Sequence, residues 1–403
     1  MDLTSKLRQL LPQRSSPPPV QHRADLDPLL GGGEVDTPYG PCYLVTKELP
    51  LSHRHGRWFL ETVFKASYEN LGRLSSGAQQ PLHLDRTLFL DTETTGLAGG
   101  TGTYAFLVGL GFFTPTGFVV KQLLMRDYNE ELALLYLLDQ ELQQKEAVVS
   151  FNGKTFDLPL LQTRFALARL GLQGASSLAH YDLLPLSRRF WRRKLDSCSL
   201  GSLEENILGV QRSGDIPGYE IPQRYFDFLR TKDGRLLQDI LEHNFIDIVS
   251  MASLLYRLQA VTELSPEECD CPFEAEALSR LAHDTDQYQL ALDYLSTAAA
   301  LAQERELQIR ILKQSAALFK RLGEYERAAV LWRKVLAWVE DDLHSAEELA
   351  KYYEHRIKDL ESAERITKRA LAHAWLAKSP RIPDWEHRLA RIEGKIRRQA
   401  VDV

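Results

Sequence analysis

The sequence predicts two folded parts in series: an α/β domain on a mixed five-stranded sheet flanked by helices, then an all-α domain of repeated helices. Between residues 85 and 262, short apolar runs bounded by turn residues alternate with segments of helical periodicity, as in a sheet covered by helices. From Phe273 to Arg398 there is almost nothing but Ala, Leu, Arg, Glu and aromatics at helical spacing. Within that second part a motif recurs at a period of about 34 residues. At 403 residues the chain has room for about two or three domains.

In order, residues 1–20 form an N-terminal segment, with one short helix over 2–11 and a stiff extended linker at Ser15-Ser16-Pro17-Pro18-Pro19. Residues 21–84 read as an extension packed on the first domain. Gly31-Gly32-Gly33 and Pro38-Tyr39-Gly40-Pro41 are turns, and Cys42-Tyr43-Leu44-Val45 is a short strand. His53 and His55 have no third ligand in view and are read as structural. The α/β domain, 85–262, opens with a strand at Leu88–Thr92 that leads into the glycine-rich turn 96–102. This turn resembles a phosphate loop only superficially: no Gly-Lys-Ser/Thr follows, and the next segment is strand-like. Strands at Tyr104–Phe113 and Phe118–Leu124 complete a meander. A helix over Glu130–Gln143, a strand at Ala147–Phe151, a helix over 155–170 and a strand at His180–Leu184 follow. After a turn-rich stretch from Gly209 to Arg224, a long helix runs from Leu236 to Gln259. In the helical domain, 273–398, Arg321-Leu322-Gly323-Glu324-Tyr325-Glu326-Arg327-Ala328-Ala329 recurs in outline as Arg356-Ile357-Lys358-Asp359-Leu360-Glu361-Ser362-Ala363-Glu364. A fainter copy begins at Asp286. Helix, short turn and a second helix opening with Ala is the tetratricopeptide pattern, which presents a groove to partners. Trp332, Trp338 and Trp375 are read as packing residues.

Composition narrows the class. Hydrophobic residues are 44% and charged residues 26%, as in a globular protein, and the net charge of −6 does not by itself announce a nucleic-acid binder. No unbroken run of 18 apolar residues occurs and the start of the chain lacks a secretory core, so no membrane partner is expected. Four cysteines, with one C-x-C at Cys269 and Cys271, suit a reducing cytoplasm without a disulfide framework or zinc site.

Asp91 and Glu93 lie two apart at the end of a buried strand, so they point the same way. Two carboxylates held that close repel unless a cation offsets them, and a hard divalent ion takes carboxylate oxygens. Asp157 falls on the first turn of a helix after Asn152-Gly153-Lys154-Thr155-Phe156. His243 and Asp247 share one helix face, and Asp247 sits among Phe245, Ile246, Ile248 and Val249, where a lone carboxylate is costly. Arg188, Arg189, Arg192, Arg193 and Lys194 cluster around Phe190 and Trp191, with aromatics inward and cations outward, suited to a phosphate backbone. Thr94, Asn152 and Lys154 are further expected nucleic-acid contacts.

In that order, and on that pattern of strand and helices, Asp91-x-Glu93, Asn152-x3-Phe156-Asp157 and a helical Asp247 resemble the DEDD (DnaQ-like) exonucleases of the ribonuclease H-like superfamily. The whole chain is similar to the YprB-like (mitomycin repair factor B) proteins of bacteria, in which a nuclease domain precedes tetratricopeptide repeats. The resemblance implies a metal-dependent 3′–5′ exonuclease acting on DNA in damage repair, with Asp91, Glu93, Asp157 and Asp247 holding two Mg²⁺ or Mn²⁺ ions. It also implies a protein partner on the repeats, a helicase among the candidates. RNA remains open as substrate, since no residue is assigned to a 2′-hydroxyl; a repeat scaffold with a vestigial nuclease domain is the alternative from another class. His243 is the candidate base. Members with a catalytic His place it one residue further from the last Asp, and the spacing here is that of members carrying Tyr. This leaves open whether His243 deprotonates the attacking water or orients it.

Overall fold

A computed structural model of the chain describes residues 26–71, 82–96, 100–171 and 178–401. The expected helix at 2–11, the proline linker and the middle of the glycine-rich turn, 97–99, lie outside the described residues. Contacts divide the chain into two compact units, Met1–Glu263 and Leu264–Val403.

Among the described residues, the first unit is built on a mixed sheet of seven strands rather than five: β1 (Gly32–Thr37), β2 (Gly40–Pro50), β3 (Thr87–Thr94), β4 (Ala105–Phe113), β5 (Gly117–Leu124), β6 (Ala147–Ser150) and β7 (Ala179–Asp182). They lie in the order β1-β2-β5-β4-β3-β6-β7. The meander and the two strands after it stand where the sequence places them. The extra pair comes from the N-terminal extension. β1 and β2 form a hairpin around Pro38-Tyr39, closed by Gly40 at φ 106° and by Thr37 Oγ1 donating to Gly40 O at 2.7 Å. β2 then pairs with the whole of β5, from Tyr43 opposite Leu124 to Pro50 opposite Gly117. The sequence yields only Cys42–Val45 here because β1 alternates half-buried and exposed residues and begins with two glycines, so little apolar pattern marks it. β3 pairs parallel with β6 from Thr87 to Phe89 and antiparallel with β4 from Phe89 to Thr94, so its C-terminal half runs past the end of the β6 ladder.

Among the described residues, five longer helices cover the sheet: α1 (Glu131–Leu142), α2 (Asp157–Leu167), α3 (Leu183–Trp191), α4 (Ile221–Thr231) and α5 (Arg235–Glu263). α5 is the central one. It is the one helix among the described residues long and apolar enough to cross a membrane, a property that the absence of an unbroken apolar run did not exclude. Most of its length is buried in this unit, and it carries His243 and Asp247 where it passes β3. His55, on the short hairpin Arg54–His55/Trp58–Phe59, is pinned to α5 by its Nε2 and Ser250 Oγ at 2.8 Å. Burial lowers its pKa to about 4, consistent with a neutral structural residue.

Among the described residues, the second unit is a run of seven α-helices: α6 (Pro272–Asp284), α7 (Tyr288–Leu301), α8 (Arg305–Arg321), α9 (Tyr325–Trp338), α10 (Leu343–Tyr352), α11 (Leu360–Leu376) and α12 (Ile382–Val401). The repeated motif falls on the turns between α6 and α7, α8 and α9, and α10 and α11. Each turn has one residue in the left-handed region, Asp286 at φ 58°, Gly323 at 81° and Lys358 at 60°. Each following helix opens with fully buried alanines, Ala291, Ala328, Ala329 and Ala363, which let paired helices approach closely. Trp332 is buried and packs as expected. Trp375 is not a packing residue: it is 57% exposed, because it lies on the outer side of α11 while Ala370 and Ala374 face the core.

Candidate functional site

Asp91 and Glu93 share one face of β3, half-buried between the buried Thr92 and Thr94. β4 lies alongside, with Asp91 opposite Gly109 and Glu93 opposite Leu107. The register shifts between Glu93 and Thr94, so the regular ladder ends at the acids. α5 crosses this face, and two glycines allow its approach. A Cβ on Gly109 would overlap Asn244, and one on Gly111 would overlap Ile248. Wholly buried, Asn244 donates through Nδ2 to Asp91 Oδ2 at 2.9 Å and accepts at Oδ1 from Gln122 Nε2 at 2.9 Å. Gly109→Ala is therefore expected to push Asn244 aside, cost about 2 kcal/mol in overpacking and loosen Asp91. A urea titration checks the cost, and an unchanged midpoint would show that Asn244 has room to move.

Asp157 arrives from the opposite edge of β3. The chain leaves β6 through Asn152, at φ 67°, and through Gly153, where a Cβ would collide with Ser150 and come within 3.3 Å of Asp157 Oδ2. Asp182 fixes the turn by accepting from Asn152 N at 2.8 Å and Lys154 N at 3.1 Å, and it caps α3 by accepting from Leu184 N. Asp157 is then the first residue of α2, and Thr92 Oγ1 donates to its Oδ1 at 2.5 Å. From α5, His243 Nε2 lies 4.0 Å from Glu93 Oε1 and 3.7 Å from Asp247 Oδ2. Asp91, Glu93, Asp157, His243 and Asp247 thus occupy one neighbourhood.

Four residues that the sequence reading missed complete it. Arg212 forms a two-pronged pair with Glu204, Nε to Oε2 at 2.6 Å and Nη2 to Oε1 at 2.5 Å, and also bonds Asp247. Glu204 is 1% exposed. Asp215 Oδ1 lies 2.8 Å from His243 Nδ1. Arg212 and Asp215 lie in the stretch read only as turns, where two opposite charges beside Gly214 and Pro217 are the one available signal. Asn244 was legible in principle, since it lies three residues before Asp247 on the same helical face.

The charges are unbalanced. Burial, with Asp247 and Asp157 nearby, pushes the Asp91 carboxyl well above its ordinary range; burial and Asp91 do the same to Glu93. Burial raises Asp157 to about 6 against the opposing hydrogen bond from Thr92. Asp247 is raised by burial, although Arg212 and His243 pull it down. Four carboxylates with hard oxygen donors and surplus negative charge fit divalent cations. As they stand, no three His, Cys, Asp or Glu side chains among the described residues converge closely enough to grip an ion. Asp91, Asp157 and Asp247 are instead engaged by Asn244, Thr92 and Arg212.

The expected nucleic-acid contacts divide. Phe190 and Trp191 are buried; Arg188, Arg192, Arg193 and Lys194 are exposed and Arg189 is half-buried, the arrangement expected of that segment, although α3 ends at Trp191 and the last three cations follow it in a turn. Lys154 is exposed at the turn. The side chain of Asn152 accepts from Thr155 Oγ1 at 2.7 Å, and that of Thr94 is buried and donates to Gly96 O at 2.9 Å, so both serve their own turns.

Comparison with known proteins agrees with this architecture. The sequence model of the RNase_H superfamily matches residues 88–259, the span from β3 through α5. A protein of Bacillus subtilis (strain 168), described as uncharacterized protein YprB, is 33% identical over 364 residues, covering 88% of this chain and 86% of that one. Among solved structures, the family B DNA polymerase of the archaeon Pyrobaculum calidifontis matches 69% of this chain and 33% of its own length at 11% identity. Its TM-score of 0.35 is too low to carry an argument.

Proposed function

We propose, from the premise that the chain belongs to the RNase_H superfamily as a YprB-like member, that it is a metal-dependent 3′–5′ exonuclease acting on DNA. The observation that carries the reading is the gathering of Asp91, Glu93, Asp157 and Asp247 from a strand, a helix start and a second helix, with carboxyls pushed upward by burial and by one another. These four side chains would hold two Mg²⁺ or Mn²⁺ ions. Bound there, such ions supply the charge that activates a water and offsets the negative charge of the phosphodiester in the transition state.

The chain's own groups do the rest. His243 Nε2, beside Glu93 and Asp247, takes the proton of the attacking water. The water oxygen bonds to phosphorus, the bond to the 3′ oxygen breaks, and that oxygen leaves with a solvent proton. Arg188, Arg192, Arg193, Lys194 and Lys154 attract the phosphate backbone, which makes binding fall steeply with salt. The second unit takes the part of a tetratricopeptide-like docking domain for a protein partner, with a helicase as one candidate, and DNA repair is the setting that the family resemblance suggests.

The test is hydrolysis of 5′-labelled single- and double-stranded DNA and of RNA with Mg²⁺ or Mn²⁺. A ladder of linear DNA shortened from its 3′ end is the expected result, abolished by chelation. Cleavage of circular DNA would replace the exonuclease reading with an endonuclease, and cleavage of RNA alone would overturn the DNA assignment.

A further inference from the structure

The spacing of His243 and Asp247 leaves one question that the geometry addresses. On one helix face the two side chains are neighbours whatever they do, so α5 alone does not decide how the imidazole is turned. The segment after Gly209 does. Gly209, at φ 71°, turns the chain back, and Val210 N donates to Glu204 O at 2.9 Å. Arg212 is then locked on the buried Glu204, and Ile216 is buried beyond it. Asp215 is held between these anchors. Its Oδ2 accepts from Arg212 Nη1 at 3.0 Å, and its Oδ1 is left for His243 Nδ1 at 2.8 Å.

We propose that Asp215 is a positioning residue of the hydrolytic site: its carboxylate holds His243 with the proton on Nδ1 and aims the bare Nε2 at Glu93 and Asp247. The inference rests on the nuclease reading above and assigns the residue that makes His243 a proton acceptor rather than a donor.

A second group competes for the same nitrogen. Arg212 Nη1 lies 3.3 Å from His243 Nδ1, and an N–H donated there would require an unprotonated Nδ1. The carboxylate contact is shorter by 0.5 Å and joins a donor to an ion, the stronger kind of hydrogen bond. Arg212 Nη1 already has Asp215 Oδ2 as an acceptor. Burial works against the Asp215 charge, but hydrogen bonds from His243 and Arg212 outweigh it and keep its carboxyl below the ordinary range, so an anion faces Nδ1. A carboxylate behind the ring fixes the tautomer and stabilises the imidazolium formed when Nε2 takes a proton.

The test combines a spectrum with turnover. Imidazole ¹⁵N NMR of the full chain with Mg²⁺, with His243→Gln to assign the signal, is expected to show Nδ1 protonated and Nε2 bare in the wild type and a mixture of tautomers in Asp215→Ala. In the exonuclease assay Asp215→Ala is expected to lose on the order of 10²- to 10⁴-fold in kcat, the range for a misplaced general base, with KM little changed. Asp215→Asn, whose amide oxygen still accepts from Nδ1, is expected to restore the tautomer and part of the rate. A wild-type ring protonated on Nε2, or Asp215→Ala turning over at the wild-type rate, would overturn the assignment and leave the nuclease reading standing. Wild-type protein that cleaves no nucleic acid while Asp215 still sets the tautomer would overturn the nuclease reading instead.

Discussion

Asp91→Asn is expected to lower phosphodiester hydrolysis by about 10³-fold, with the fold intact. The estimate follows from losing several kcal/mol of transition-state charge stabilisation where one tenfold step is about 1.4 kcal/mol. Asparagine keeps the size of the side chain, and its amide oxygen still accepts from Asn244 Nδ2, so the packing of α5 on β3 is retained. What is lost is one negative charge at the centre of the acidic group, the charge that both Asp157 and Asp247 oppose. Steady-state rates on labelled DNA with Mn²⁺ measure the effect, and circular dichroism confirms folding. Asp247→Asn is expected to be less cleanly interpretable, because it also weakens the hold on Arg212. Wild-type rates from both variants on every substrate would remove the carboxylates from the reaction.

The acids and the helical hairpins were legible in the sequence for the same reason: each is a local pattern. Asp91 and Glu93 need only the alternation of one strand, His243 and Asp247 only the spacing of one helix, and the turns at Asp286, Gly323 and Lys358 only a repeat. The unread parts depend on residues far apart in the chain. β2 runs on past the legible Cys42–Val45 because β5 offers it an edge, and β1, whose own residues carry little apolar pattern, is a strand because β2 pairs with it. Arg212 and Asp215 gain meaning only when the segment after Gly209 folds back on α5. Asn244 holds Asp91 because Gly109, on another strand, leaves space for it. Trp375 shows the converse: a large aromatic at helical spacing does not reveal which face of α11 will be covered.

Metal ions are expected to stabilise the first unit at pH 7.5 and to do so far less at pH 5. In the metal-free chain Asp157 has its pKa raised from 3.8 to about 6, and Asp91 and Glu93 are raised well above their ordinary range. A raised carboxyl means that the native state binds protons more tightly than the unfolded chain, so the site's contribution to stability falls as pH rises from about 4 through 6 and beyond. At pH 7.5, above the raised Asp157 value of about 6, the cost of ionising that carboxyl among the other acids is present. Mn²⁺ relieves it, and at a hundred times its dissociation constant adds about 2.7 kcal/mol through binding to the native state alone. At pH 5 protons occupy the same oxygens and compete with the ion. Thermal unfolding with Mn²⁺ or with a chelator at the two pH values measures the difference. Asp91→Asn sharpens the test, because it is expected to raise the melting temperature of the metal-free protein at pH 7.5 while shrinking the Mn²⁺ shift. An activity-destroying substitution that stabilises the fold is the behaviour of a site strained by its function; equal Mn²⁺ shifts at both pH values, or in wild type and variant alike, would show that these carboxylates are not where the ions bind.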